Sequence, residues 1–455
     1  MRKSCITMSS LTQYLQLYEQ NQQMLCSHAP DVLNEAREGA CKALRARGLP
    51  TLKTEEYRYF DVQKYLSADY GLNLGRIVSG KDPQKQYRCG VSGLRSALCY
   101  VENDVPVMCP KSDELPHGAH VMSLWQAEEQ YPSLLCQYYN VVAAQKYDGL
   151  VALNTLLVQD GLLVYIEKGV VLENPLQIVN IASARANLMM NRRLLVVMEK
   201  DARADIMLCD HAEGTQQHLS TQVSEIYLGE GARLNLYSIE ENNAQNTRFH
   251  KLSVKQEARS VFVQTDITLS AGRSRQTSEV TLSGEHASAV LNGATVTNDN
   301  QVVDNYILVS HDACHCQSQM LYKSVLDGQS IGAFAGKVLV NAGAQKTVSE
   351  QTNANLCVSS EAHAYSQPML EIYADDVKCN HGSTIGKLDE MALFYMKQRG
   401  IEEAEARLLL QHAFVNDVLQ RIEIEPLRQR ISHMVEQRFR GQKDEVCKGC
   451  NLCQK

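Results

Sequence analysis

The interval between Pro175 and Pro368 contains no proline, although the 455-residue chain has 10 of them. Short apolar or alternating runs recur in and around it, for example at 162–166, 234–239 and 261–267, and Gly, Asn, Asp and Ser separate them. Such runs are strand signals. Proline cannot donate a ladder hydrogen bond, so its absence is typical of strands that are paired on both sides. The interval therefore predicts a large, mainly β unit.

A weak repeat of alanine beside turn-forming residues runs through the same interval. Its members are Ala202, Ala232, Ala258, Ala287, Ala313 and Ala362, with spacings of 30, 26, 29, 26 and 49 residues. A period of this size, with no helix in between, predicts stacked rungs of strands. We expect a right-handed parallel β-helix; the alternative is a β-sandwich whose turns are spaced by coincidence.

Four zones follow from the pattern of the whole chain. Residues 1–140 are mixed and largely helical, with a clear amphipathic helix at Asp31–Arg47, and residues 141–386 form the β-helix core. The helical period returns over 387–441, including a third helix from Pro426 to Arg440, and residues 442–455 are a cysteine-rich tail. Helices at the end of a solenoid would cover an exposed core.

Composition and charge exclude several classes of protein. The net charge of −7 argues against a protein whose main task is to bind nucleic acid. No apolar run of about 18 residues exists, so we expect no membrane span, and the first residues lack the apolar segment of a signal peptide. We therefore expect a cytoplasmic protein whose 15 cysteines are reduced.

Several short motifs have an ordinary structural explanation. Ser330 lies in a G-x-S-x-G pattern, but a hydrolase would need a helix directly after it. The segments 332–337 and 382–387 are each one residue too short for a phosphate-binding loop. On a strand, Asp375 and Asp376 would point to opposite faces and make a poor catalytic pair, so we expect a solvated or turn-forming role for them. If Cys314-His315-Cys316 is a strand, both cysteines share one face and pack inward.

Two cysteine motifs could bind a soft metal or sulfur. In an extended strand, Cys379 and His381 share a face with Cα atoms about 6–7 Å apart, and the alternative is a packed cysteine beside a hydrogen-bonded histidine. Cys447, Cys450 and Cys453 have the C-x-x-C-x-x-C spacing that lets thiolates converge on a metal or cluster. The alternative for the tail is a flexible segment with exposed thiols.

The last third of the chain resembles a known family. The segments that carry the resemblance are FAGKV at 334–338, QTNANL at 351–356, ADDVKCNHG at 374–382 and LFY at 393–395. Together they resemble the SufD subunits of the SUF iron–sulfur cluster assembly machinery, within the SufB/SufD family. Weaker matches extend over nearly the whole chain.

The resemblance implies a non-catalytic scaffold with a parallel β-helix and helical ends. It implies a SufB-like partner on the β-helix, a SufC-like ABC ATPase on the C-terminal helices, and a homodimer for the isolated subunit. His381 would be a ligand of a transient iron–sulfur cluster held by the complex, with Cys379 accessory to it. Reduced flavin is associated with such complexes. The tail cysteines are not part of the family pattern. The alternative function is a β-solenoid enzyme acting on polysaccharide.

Overall fold

The computed structural model describes residues 9–86, 91, 93–145 and 148–441, and a β-solenoid of about 8 turns dominates it. The helices are α1 Ser10–Ser27, α2 Asp31–Arg47, α3 Val62–Leu66, α4 Pro83–Gln86, α5 Leu124–Gln130, α6 Pro132–Tyr138, α7 Val142–Gln145, α8 Gly149–Leu157, α9 Glu390–Gln398, α10 Glu403–Leu419 and α11 Glu425–Phe439. The strands are β1 Gly71–Leu72, β2 Ala97–Glu102, β3 Val105–Met108, β4 Ala119–Ser123, β5 Leu162–Ile166, β6 Leu176–Ala182, β7 Leu188–Met198, β8 Arg203–Ala212, β9 His218–Leu228, β10 Arg233–Glu241, β11 Thr247–Gln256, β12 Val261–Ser270, β13 Arg273–Leu282, β14 Ser288–Thr297, β15 Val302–His311, β16 Gln317–Leu326, β17 Ile331–Val340, β18 Val348–Cys357, β19 His363–Ile372 and β20 Lys378–Gly386.

From β5 onward, successive strands alternate between two sheets. The odd sheet has the order β19-β17-β15-β13-β11-β9-β7-β5-β4, and the even sheet has the order β20-β18-β16-β14-β12-β10-β8-β6-β2-β3. Neighbours from β5 to β20 are parallel, so one odd strand and the next even strand make one rung. Thr247 pairs with Arg273 and Ile331 with His363, offsets of 26 and 32 residues. The predicted solenoid of stacked strands is confirmed.

The corners that lead from odd to even strands explain part of the alanine repeat, since Ala258 and Ala313 lie before the left-handed residues of their corners and are only partly buried. Asp201 and His286 adopt left-handed backbone angles there, with φ of 60° at each. The residues that follow them, Ala202 and Ala287, are completely buried under the turn. A small side chain fits this position because the chain reverses direction over it. Ala362 lies in the opposite corner, between β18 and β19, and so does not belong to the same repeat.

The prolines at the two ends of the long interval have separate explanations. Pro175 lies immediately before β6, where its missing N–H is not needed inside the strand. Pro368 lies within β19, which pairs only with β17. An edge strand tolerates proline because one side of it has no ladder to complete. The strands between these residues are paired on both sides, as the absence of proline predicts.

The interior of the solenoid is apolar on one side and polar on the other. Side chains next to the odd-to-even corners form a continuous apolar core, which includes Val196, Leu234 and Phe262. The opposite side buries charged groups, including Arg248 and Asp266. The Oδ2 atom of Asp266 accepts hydrogen bonds from Gln264 Nε2 at 2.7 Å and from the Tyr322 hydroxyl at 3.3 Å. Desolvation raises the pKa of the Asp266 carboxyl to about 7.

Helices cover the outer faces of both sheets. Helices α10 and α11 pack on the even sheet through residues such as Val415 and Ile431, and the N-terminal region packs on the odd sheet around Phe60 and Phe249. The predicted helix Asp31–Arg47 is confirmed as α2, and the predicted third C-terminal helix as α11. No helix among the described residues has the length and apolarity to cross a bilayer.

Aromatic residues of the N-terminal region hold it along the odd sheet. The Tyr57 ring lies 4.4 Å from the guanidinium of Arg275, which is completely buried and pairs with Asp304 at 2.5 Å. Tyr59 stacks on Tyr365 of β19 with ring centroids 4.3 Å apart. The N-terminal region therefore reaches the last rung of the solenoid.

Candidate functional site

The last rung, formed by β19 and β20, is an open end of the solenoid. Each of its strands has a neighbour on one side only, so backbone groups along both edges have no sheet partner. Large apolar side chains are exposed on and beside this rung: Tyr365, Ile372, Tyr373, Ile385, Met391, Phe394 and Tyr395. Met391 is 76% exposed and Phe394 60%. We call this set the terminal apolar surface; exposed apolar patches are typical of interaction sites.

Cys379 and His381 lie on β20, inside this open rung. Their register partners on β18 are Ser349 and Gln351, which are 2% and 1% exposed. Paired residues of parallel strands point to the same face of a sheet, so Cys379 and His381 continue two inward-facing columns of side chains. The predicted extended conformation, with both residues on one face, is confirmed. His381 is nevertheless exposed because no further rung covers it.

The two side chains differ in their surroundings. Cys379 is half-buried and packs against the apolar core together with Leu370 and Val377. This burial raises the pKa of the Cys379 thiol, and a hydrogen bond from the backbone of Ser349 partly offsets the increase. A raised thiol pKa favours the protonated form until a metal ion displaces the proton.

Hydrogen bonds between polar side chains connect the two strands of the open rung to the rung beneath. Ser383 on β20 donates to Ser366 on β19 at 2.6 Å, and Ser366 donates to Asn353 Oδ1 on β18 at 2.7 Å. Asn355 donates to the same oxygen at 2.7 Å. Sequence reasoning missed this set, although Ser383 follows His381 at the two-residue period of a strand face. The network links the strand that carries Cys379 and His381 to β19 and to the rung beneath.

The open rung offers only part of a metal site. Among the described residues, no group of three or more His, Cys, Asp and Glu side chains converges in a way that could hold a metal ion. Cys379 and His381 supply one sulfur and one nitrogen donor, a set that suits iron, zinc or copper. A complete coordination sphere would need donors from elsewhere. The tail cysteines Cys447, Cys450 and Cys453 lie outside the described residues.

The expectation that Cys314-His315-Cys316 forms a strand was wrong. The segment is the corner between β15 and β16, and His315 adopts a left-handed φ of 58°. Cys316 is buried and donates to the carbonyl of Gly284 at 3.3 Å, while Cys314 donates to the carbonyl of Gly343 at 3.1 Å. Alternation alone could not reveal a left-handed residue inside a run without glycine. Both thiols therefore bond to neighbouring corners.

The other motifs have structural roles, as expected. Ser330 is buried in the corner before β17, and a strand rather than a helix follows it, so a nucleophile elbow is absent there. The segment 332–337 lies on β17, and residues 382–386 lie on β20. An extended strand cannot wrap its backbone N–H groups around a phosphate. Asp376, in the corner between β19 and β20, forms an ion pair with Lys346.

Two protein-family models match this chain. The family model described as "SUF system FeS cluster assembly, SufBD core domain" matches residues 180–414, and the model of the SufBD protein N-terminal region matches residues 8–178. The boundary between them falls within β6, so the first model covers most of the solenoid and the C-terminal helices through much of α10.

Individual relatives carry related descriptions. An iron–sulfur cluster assembly SufBD family protein of Synechocystis is 27% identical over 426 residues, which covers 91% of this chain and 93% of the relative. The iron–sulfur cluster assembly protein SufD of Escherichia coli is 32% identical over 167 residues, or 37% of this chain and 40% of that protein. A SufBD family protein of Mycobacterium leprae is 32% identical over 37% of this chain and 45% of its own length.

Proposed function

Because the chain belongs to the SufB/SufD family of iron–sulfur cluster assembly proteins, we propose that it is a SufD-like, non-catalytic scaffold of that machinery. The observation that carries the proposal is the open rung, where Cys379 and His381 continue the inward-facing columns of β18 on a strand that also carries the exposed Ile385. A scaffold that builds a cluster between subunits needs ligands at an interface rather than a closed pocket. The family matches give no support to a polysaccharide-acting enzyme.

A SufB-like subunit would dock on the terminal apolar surface. The unpaired strand edges of β19 and β20 are templates for another chain, and exposed side chains such as Tyr373 and Ile385 supply apolar contact area. A second solenoid could continue the stack across this edge. In the absence of that partner, a second copy of this chain would use the same surface, so we propose that the isolated subunit forms a homodimer through it.

A SufC-like ATPase would dock on the C-terminal helices. The described residues offer no phosphate-binding loop, since both near-matches lie on strands, so ATP hydrolysis would have to come from a partner. Helix α10 packs on the even sheet with one face and leaves Leu409 exposed at 42%. ATP-driven movement of these helices would reach the open rung through α9, which follows β20 directly.

In the proposed assembly, His381 coordinates iron through its neutral imidazole. Cys379 supplies a thiolate or takes part in sulfur handling, and iron displaces the proton of its thiol on binding. The cluster is cargo built on the complex. The remaining donors would come from the SufB-like partner, because the described part of this chain brings no third ligand to the site.

Reduced flavin, which the family resemblance implies, does not fit two small cavities inside the solenoid. The cavities beside Arg192 and beside Arg275 measure about 20 and 10 Å³. Such volumes hold about one water molecule rather than an isoalloxazine ring. An open cleft of about 570 Å³, lined by residues such as Tyr138, Val197 and Lys255, is the larger space. No step of the proposal depends on flavin.

The test is to co-express the chain with a SufB-like and a SufC-like protein, purify the complex without oxygen, and measure bound iron and sulfide. We expect His381→Ala to lose most of the cluster while the complex still forms. His363→Ala is the matched control, since His363 is an exposed histidine on β19 of the same rung. Equal cluster content in both variants would contradict the ligand role of His381.

Two further variants test the docking surface and the cysteine tail separately from the ligand role of His381. Ile385→Asp places a charge on the terminal apolar surface, and we expect the SufB-like subunit to be lost from the purified complex. If no complex forms even with the native chain, the scaffold proposal itself is wrong. Changing Cys447, Cys450 and Cys453 together to serine tests the tail; unchanged iron and sulfide would exclude it as a ligand set.

A further inference from the structure

Two cysteines meet at the end of the solenoid opposite the open rung. Cys99 lies on β2 and Cys109 follows β3, and these strands form an antiparallel hairpin at the edge of the even sheet. Tyr100 pairs with Met108, so Cys99 and Cys109 are the next opposed positions. Their Sγ atoms are 3.7 Å apart. Opposed residues of an antiparallel pair are close enough for their sulfurs to join after a modest rotation of the side chains.

The two thiols have unequal exposure and acidity. Cys99 is completely buried in the apolar core, whereas Cys109 is partly exposed. The hydrogen bond between the two sulfurs lowers the pKa of Cys109, while the same bond and burial raise the pKa of Cys99. Cys109 is thus the accessible nucleophile and Cys99 the protected thiol behind it.

We propose that Cys99 and Cys109 form a reversible disulfide by exchange with a low-molecular-weight disulfide such as glutathione disulfide. The Cys109 thiolate attacks one sulfur of glutathione disulfide and expels one glutathione thiolate, which leaves a mixed disulfide on Cys109. Cys99 then loses its proton to the solvent or the departing thiolate, attacks the Cys109 sulfur and expels the second glutathione. The protein loses two protons and two electrons, and glutathione disulfide becomes two glutathione molecules.

The location gives the disulfide a mechanical consequence. Strand β3 is the final strand of the even sheet and pairs only with β2. The turn already joins β2 and β3 at one end of the hairpin. A disulfide between Cys99 and Cys109 would join the two strands near the other end and so hold the edge strand in register. Strand β2 pairs with β6, the first even strand of the solenoid, so oxidation would reinforce the end cap of the stack. This inference does not depend on the proposed role of the open rung.

The experiment uses the full chain, reduced and then incubated with glutathione disulfide under native conditions. The sample is quenched with acid, denatured in the presence of an alkylating reagent, and digested for mass spectrometry. We expect a peptide pair joined through Cys99 and Cys109, and its loss when reduced glutathione is added in excess. The exposed thiol of Cys136 should carry glutathione without forming an internal link.

Two variants test the unequal roles. In Cys99→Ala, the mixed disulfide on Cys109 should accumulate several-fold above its level in the native chain, because the resolving thiol is gone. In Cys109→Ser, Cys99 should stay reduced and be alkylated only after denaturation. The proposal is wrong if the native chain shows both thiols alkylated after oxidation, or if Cys109 carries equal glutathione with and without Cys99. Circular dichroism of each variant checks that it is folded.

Discussion

Asp266 should make the stability of the protein fall as pH rises through the neutral range. Its carboxyl is buried on the polar side of the solenoid interior, and desolvation raises its pKa from 3.8 to about 7. The nearby guanidinium of Arg248 and the hydrogen bonds from Gln264 and Tyr322 lower the pKa, but they do not outweigh desolvation, and the charge of Glu240 adds to the increase.

The sign follows from proton binding in the two states. Between pH 4 and 7 the unfolded chain has lost the Asp266 proton and the folded chain keeps it, so rising pH favours unfolding. The difference between pKa 3.8 and about 7 corresponds to a cost of about 4 kcal/mol at pH 8, of which about 3 kcal/mol develops between pH 5 and 8. Asp266→Asn removes the titration and keeps an oxygen that can accept from Gln264 and Tyr322.

The assay is urea denaturation of the native chain and of Asp266→Asn at several pH values from 5 to 8. We expect the variant to gain about 3 kcal/mol relative to the native chain across this range. Asp327→Asn, which removes an exposed carboxylate in a corner, is the control for the loss of one charge. A stability difference between Asp266→Asn and the native chain that stays constant with pH would refute the reasoning.

Two further substitutions test the packing. Arg275→Met should lower the free energy of unfolding, measured by urea denaturation, by about 3–5 kcal/mol, because it leaves the Asp304 carboxylate buried without its partner. Arg259→Met removes an exposed ion pair and should lower it by less than about 1 kcal/mol. Equal losses in the two variants would contradict this explanation. Gly284→Ala should lower the free energy of unfolding by about 3 kcal/mol, because the new Cβ would clash with the backbone of Ala258 in the preceding corner. Gly343→Ala lies at a corner with open space around the new Cβ and should leave the melting temperature nearly unchanged.

The stacked strands could be predicted because each rung repeats the same local conditions. Strand runs, turn residues and the absence of proline all act over a few residues, and the same few choices recur at every turn of the solenoid. The helix Asp31–Arg47 was predictable for the same reason, since its apolar period and the Gly48 that follows it are local signals.

Features that depend on the stacking itself could not be predicted. Buried groups such as Arg248 and Asp266 resemble solvated strand residues until the second sheet covers them. The shared face of Cys379 and His381 followed from the two-residue period, but the exposure of His381 depends on β20 being the last strand. The contact between Cys99 and Cys109 could not be predicted, because a hairpin turn, rather than a short motif, brings their sulfurs together.

The one-sided pairing of the last rung also determines how firmly its residues are held. In a solenoid each rung is stabilised mainly by its neighbours, so an end rung with one neighbour opens more readily than an internal one. Amide hydrogen exchange should therefore be faster in β20 than in β16, and a docked subunit should slow it. Part of the free energy of partner binding would then offset the cost of ordering Cys379 and His381. These two side chains would reach their final positions only when the complex forms.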